Sequence, residues 1–188
     1  MEIQQSLFVN SLKEPETREE AFKRLVSEYK ERLYWHIRKL VLDHDDANDV
    51  VQNTFIKIHL NIEKFKGNST LYTWMYRIAT NEAINFINSK SSKMGLQNQE
   101  WIEAKADQLT ADPYFDGDEA AFFLQKEVAK LPEKQRIVFN MRYFDGMTYQ
   151  VISEILDTSI GALKASYHHA VRKIKTNLKK IILLKQIH

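Results

Sequence analysis

Apolar residues recur along this chain at spacings of three and four, the period of a helix that packs on one face. Phe22, Leu25, Val26, Tyr29, Leu33, Ile37 and Leu40 form one such stripe and predict a long helix. In the following DHDDANDVVQNTFIKIHLNI, Asp45 or Asp46 is expected to cap a helix whose inner face is Ala47, Val50, Val51, Phe55, Ile58 and Ile62. KFKGNST then breaks the pattern at a glycine set among hydrogen-bonding residues. A third helix is predicted from about Thr70 to Ser89, with Leu71, Trp74, Ile78, Ala83, Phe86 and Ile87 among its apolar positions. Three helices of this size can enclose a small core.

The periodicity lapses between Ser91 and Gly117, a polar and acidic stretch with a short helix expected around Trp101. It resumes at Glu119. Pro132 suits the first turn of a helix over LPEKQRIVFNMRYF, and Gly146 suits a left-handed stop. A helix from Thr148 to Leu156 turns Val151, Ile152, Ile155 and Leu156 inward; DTS makes a short turn, and Ser159 caps the next helix. There Ile160, Leu163, Tyr167, Ala170, Val171, Ile174 and Leu178 share a buried stripe. The outward stripe is Gly161, Lys164, Ala165, His168, Arg172 and Lys175, flanked by Ser166 and His169. No alternating strand pattern persists. The predicted fold is all-α: two small helical domains joined by an acidic flexible linker, the C-terminal one a helix-turn-helix. The expected divisions are 1–92, 93–118 and 119–188.

Charge sharpens that division. The net charge of +2 conceals a balanced first part, +1 over 1–95, an acidic connector, −6 over 96–125, and a basic end, +7 over 126–188. From Ser159 onward there are seven lysines and arginines and no acid. Such a surface suits a polyanion. About 27 connector residues reach roughly 90 Å at full extension and average about 30 Å as a flexible coil, enough for two modules to sit on separated parts of one target. The chain contains no cysteine, which removes disulfides and thiolate metal sites and agrees with a cytoplasmic location. No run of eighteen apolar residues occurs and the N-terminus lacks a secretion signal's pattern, so no membrane insertion is expected.

Slimness and charge coincide at the start of the last helix. Gly161, Ala162 and Ala165 leave it narrow enough for a major groove, while the basic flank meets phosphates. A basic helical hairpin closing a bundle is the plainer alternative. His168 and His169 point about 100° apart and cannot jointly chelate a metal as an i, i+4 pair can. Asp45, Asp46 and Asp49 have the DDxxD spacing that holds magnesium-diphosphate in helical prenyl-transferring enzymes, but no second acidic motif faces it. Aspartates at a helix N-terminus also have an ordinary electrostatic role. No enzyme and no cofactor is therefore expected.

DDANDVVQNTFIKIHLNIEKFKGNSTLYTWMYRIATNEAINFI resembles the second conserved region of bacterial extracytoplasmic-function (ECF) sigma factors, and LPEKQRIVFNMRYFDGMTYQVISEILDTSIGALKASYHHAVRKIK resembles their fourth. GALKASYHHAV is similar to the recognition helix of Bacteroidetes-type members. The resemblance implies a dissociable subunit that directs core RNA polymerase to promoter DNA, with an anti-sigma factor as a further partner. It implies polymerase docking by Asp49, Gln52 and Asn53, the last standing where relatives often carry an acid.

For opening the −10 element it implies Lys64, Lys66, Gly67, Asn68, Ser69 and Thr70 of the loop, with Tyr72, Arg77, Asn81 and Asn85 of the helix after it. The loop residues would satisfy an extruded base, Lys64, Lys66 and Arg77 hold phosphates, Tyr72 stacks, and Asn81 and Asn85 meet the duplex edge. Trp74 is expected chiefly as a core anchor. INSKSSK lacks the arginines that relatives carry, so grip there is looser. For the −35 element the set is Ser159, Gly161, Lys164, Ala165, Ser166, His168, His169 and Arg172. Ser166 stands where many relatives have an arginine, which shifts weight from base reading to phosphates and groove shape. Asp157 replaces a turn glycine. The rival reading is a stand-alone helix-turn-helix regulator, which leaves the first motif without a purpose.

Overall fold

A computed structural model of the protein describes residues 2–108 and 119–185. Among the described residues there are helices and no strands. The first module holds α1 (Glu2–Lys13), α2 (Arg18–Val41), α3 (His44–Asn61), α4 (Leu71–Lys93) and α5 (Asn98–Gln108). The second holds α6 (Glu119–Ala129), α7 (Glu133–Phe139), α8 (Tyr149–Leu156) and α9 (Ile160–Lys185).

The stripes expected on α2, α3 and α4 meet in one core. Leu25, Leu33 and Ile37 pack with Val50, Ile58, Met75 and Ala79, all essentially buried. Burying each larger side chain contributes about 1.5–3 kcal/mol. α2 ends on Leu42 in the left-handed region (φ 64°). The cap of α3 is Asp43, whose carboxylate accepts from the Asp46 amide at 3.0 Å. That corrects the expectation of Asp45 or Asp46, which lie inside the first turn. Asp46 is buried and ion-paired with Lys105 (3.2 Å) and Lys90 (3.4 Å). The DDxxD trio is thereby split, with Asp45 and Asp49 left exposed.

Two helices fall outside the strongest sequence pattern. α1 was not anticipated; it docks through Val9 and Leu12. α5 matches the short helix expected around Trp101, but it is core structure rather than connector. Trp101 and Ile102 are buried, and Trp101 meets Phe86 edge-on at 6.4 Å. The rest of the expected flexible linker, 109–118, lies outside the described residues.

In the second module, Val128, Leu131, Phe139, Ala170 and Ile174 make a smaller core, with Phe139 stacked on Tyr167 at 5.7 Å. After α7 the helix widens into a π turn over Asn140–Phe144 and stops at Gly146 (φ 66°). The two modules pack together: Ile152, Ile155, Leu163 and Met141 join the core of α2–α4, and α8 lies against α4.

Candidate nucleic-acid interface

The helix-turn-helix is assembled by local hydrogen bonds. The Thr148 hydroxyl caps α8 by accepting from the Val151 amide at 3.3 Å. Asp157 ends α8 at φ 49°, a conformation Asp adopts more readily than most side chains. The Ser153 hydroxyl then donates to the Thr158 carbonyl at 2.7 Å and ties the turn shut. Ser159 meets the Ala162 amide at 3.4 Å, the weak end of a capping contact.

Beyond the turn, Leu163, Ala170 and Ile174 anchor α9, while Ser159, Gly161, Lys164, Ala165, His168, His169 and Arg172 are exposed. Ser166 is half-buried. Ile160, expected on the buried stripe, is 36% exposed. Packing starts only at Leu163, because the first turn of α9 projects past the core. One face of a long helix therefore offers small residues first and cations after them, with no carboxylate between Ser159 and Lys185.

The loop after α3 has a different build. Phe65 is buried beneath it, and Gly67 turns it at φ 75°, where any other residue is strained. Lys64, Lys66, Gly67, Asn68 and Thr70 are exposed and Ser69 is half-buried. Thr70 has a structural duty too: its hydroxyl caps α4 by accepting from the Thr73 amide at 3.1 Å. Trp74 is half-buried with its ring 5.3 Å from Phe65, in keeping with the anchor expected of it. Tyr72 is also half-buried, 4.2 Å from the Tyr76 ring. Burial pushes both phenols up, so each remains a neutral hydroxyl near pH 7. Asn81 and Asn85 are exposed on α4, one turn apart. Arg77 is exposed as well, and it donates to the Glu154 carbonyl of α8.

Three features were not foreseen from the sequence. Ser6, Asn10 and Lys13 of α1 border a cavity of about 610 Å³ whose other side is the 65–70 loop. Lys13 holds that loop by donating to the Phe65 carbonyl at 2.7 Å. On α3, Asp49, Gln52 and Asn53 are exposed together as expected, and Ile56 (56%) and Leu60 (68%) extend the same open face. An i, i+4 apolar pair off the buried stripe was a legible sign of the last. Finally, Asp145 joins the modules through His36 and Lys39.

Among the described residues, no three His, Asp or Glu side chains gather as a metal site, and no helix is long and apolar enough to cross a membrane.

With this geometry in place, comparison with known proteins is specific. Residues 25–93 match Sigma-70 region 2, and residues 124–174 match Sigma-70 region 4. The ECF RNA polymerase sigma factor SigW of Bacillus subtilis is 29% identical over 170 residues, spanning 86% of this chain and 90% of the relative. The ECF RNA polymerase sigma-E factor of Escherichia coli K12 is 28% identical over 172 residues, spanning 87% and 90%. The solved structure of CnrH in complex with the cytosolic domain of CnrY shares the fold at a TM-score of 0.68 and 18% identity, covering 94% of this chain and 97% of that one. The sigma factor RpoE bound to the anti-sigma factor NepR from Bartonella quintana gives 0.66 and 21%, covering 84% and 96%.

Fold and matches together define a two-module, sigma-70-type transcription initiation factor. The chain belongs to the ECF sigma factors of RNA polymerase. A stand-alone regulator would leave the region 2 match over 25–93 unexplained.

Proposed function

We propose that α9 reads the −35 element, that the 65–70 loop and α4 capture and open the −10 element, and that the exposed face of α3 docks on core polymerase. The reading keeps the division expected at 1–92, 93–118 and 119–188, with α5 (Asn98–Gln108) of the middle part packed into the first module. The observation that carries it is the outward stripe of α9: Gly161, Lys164, Ala165, His168 and Arg172 are all exposed on a helix-turn-helix whose opposite side is buried. A slim helix end entering a major groove with cations along its flank is the geometry of this motif on duplex DNA. Asn68 supplies both a donor and an acceptor for the edge of a flipped base, and extrusion from the stack costs a few kcal/mol. The factor then performs no covalent chemistry: it supplies binding free energy that offsets unpairing.

Asp49, Gln52 and Asn53 dock on polymerase through polar contacts, and Ile56 and Leu60 add apolar area to that face. The two structural neighbours suggest an anti-sigma factor as a third partner, and promoter binding places the chain in the cytoplasm. Lys164→Ala combined with Arg172→Ala is expected to abolish run-off transcription from a −35-dependent promoter while co-elution with core polymerase persists. Unchanged run-off would refute the assignment of α9.

A further inference from the structure

We propose that the open-sided cavity between α6 and α9 binds a small phosphorylated dianion, and that its occupant competes with the −35 duplex for Arg172. The first half stands on the cavity itself; the second rests on the −35 reading above.

The cavity measures about 300 Å³, the lower end of small-ligand sites. Glu127 and Lys130 line one side, and Arg172, Lys173, Thr176 and Asn177 of α9 line the other. On the helical period these four α9 residues occupy the flank between the outward stripe and the buried one. Because α9 has no carboxylate between Ser159 and Lys185, the acid of this lining comes from α6. That acid is already committed. Glu127 is 3% exposed, and its two oxygens accept from Lys130 Nζ at 2.6 Å and from Asn177 Nδ2 at 2.7 Å. Arg172 and Lys173 are exposed beside it, and neither meets an acid among the described residues.

The end of α6 does not oppose an anion here. A helix C-terminus repels negative charge through its free carbonyls. The Val128 carbonyl, however, accepts from the Leu131 amide at 3.1 Å, and the Ala129 carbonyl accepts from the Gln99 side chain at 3.0 Å. Thr176, whose hydroxyl donates to the Arg172 carbonyl at 2.9 Å, shapes the wall rather than donating to a ligand.

Charge selects the class of ligand. Lys130, Arg172 and Lys173 against Glu127 leave two positive charges in excess. A phosphate monoester or a diphosphate carries about two negative charges near pH 7, whereas each phosphodiester of a duplex carries one. A guanidinium grips a terminal phosphate through two parallel bonds, and an ammonium adds a point charge. Arg172 belongs to both surfaces, bordering the cavity while lying on the outward stripe with Lys164 and His168. A guanidinium held by the ligand is withdrawn from the duplex, so each weakens the other by the same factor.

The test titrates full-length protein with sodium pyrophosphate by calorimetry, with sodium chloride holding ionic strength constant. Wild type is expected to bind one equivalent with a Kd below about 1 mM. Lys173→Ala should weaken binding about tenfold. Lys179→Ala makes the same charge change on an exposed part of α9 outside the lining, and should alter binding less than twofold. No saturable binding, or equal loss in the two variants, overturns the site. Competition is read from the anisotropy of a labelled −35 duplex on holoenzyme in magnesium-free buffer. Pyrophosphate at three times its Kd should weaken wild-type binding about fourfold and the Lys173→Ala holoenzyme less than twofold. Ligand binding with no effect on the duplex overturns the competition and leaves the site standing. If Arg172→Ala abolishes pyrophosphate binding yet leaves duplex affinity unchanged, the −35 assignment of Arg172 fails and the cavity does not.

Discussion

The two surfaces proposed to face DNA are built on opposite plans. α9 exposes its stripe fully, behind a hydrophobic seam, with Lys164 lying over the Tyr149 ring at 6.0 Å. The 65–70 loop borders an open-sided cavity, with a buried Phe65 beneath it, α1 beside it and α8 at its rim. An open cationic helix suits intact duplex, whose phosphates lie on the outside. A concave surface carrying amides and hydroxyls suits a base already out of the stack, where shape and edge hydrogen bonds count for more than charge.

Salt separates the two plans most strongly. If α9 and its flank neutralise six phosphates, duplex binding by the holoenzyme falls about three decades between 50 and 200 mM salt. Capture of a pre-melted strand should fall far less, as fluorescence anisotropy with matched duplex and bubble probes would show. Equal salt slopes would erase the contrast.

Removing the seam of the open surface comes next. Leu163→Ala is expected to destabilise by about 2–5 kcal/mol and to lower the thermal midpoint, because Leu163 of α9 is 1% exposed in the core it shares with Ile152 and Ile155 of α8. A change below about 1 kcal/mol would mean the helix-turn-helix is held by something else.

Acid should act where the two modules meet, at Asp145. Burial raises the Asp145 carboxyl, but hydrogen bonding and charge from His36, then Lys39, outweigh it and hold the group below its usual range. The charges and phenols around it are those of Arg32, His36 and Lys39 on α2 and of Tyr72 and Tyr76 on α4. A carboxyl depressed in the packed form favours packing of the modules above its ordinary pKa of about 4 and loses that contribution as pH falls through the lower packed-form value. The radius of gyration should be flat from neutral pH to about 5 and rise below about 4. Asp145→Asn should lack this step; an identical step in the variant would assign it to other carboxylates.

The smallest effects belong to the caps. Thr148→Ala and Thr70→Ala should each cost about 1 kcal/mol in urea melts. Only the second also displaces the loop, so only it should weaken capture of the unpaired strand.

What the sequence disclosed followed from distance along the chain. The stripes of α2, α3, α4 and α9 were legible because a long amphipathic helix repeats its signal many times, and the exposed positions of α9 followed from the face opposite its stripe. α1 anchors itself through Val9 and Leu12 amid polar residues, too sparse a pattern to stand out. Asp43 was passed over as a cap because Asp45 and Asp46 offer the same chemistry within the same short stretch. Ile160 read as core since periodicity cannot tell where a helix outruns its support. The contact between the modules carried no signal at all: Asp145 sits in a turn that its glycine explains, and its partners lie more than a hundred residues earlier.

The most direct measurement is a paired footprint on one promoter with holoenzyme: hydroxyl-radical protection upstream, permanganate reactivity of unpaired thymines downstream. Lys164→Ala with Arg172→Ala should erase protection near −35, while Lys66→Ala with Asn68→Ala should erase thymine reactivity near −10 and leave the upstream footprint standing. If the loop variant kept its reactive thymines, or the helix variant its upstream protection, the assignment of the two surfaces would be contradicted.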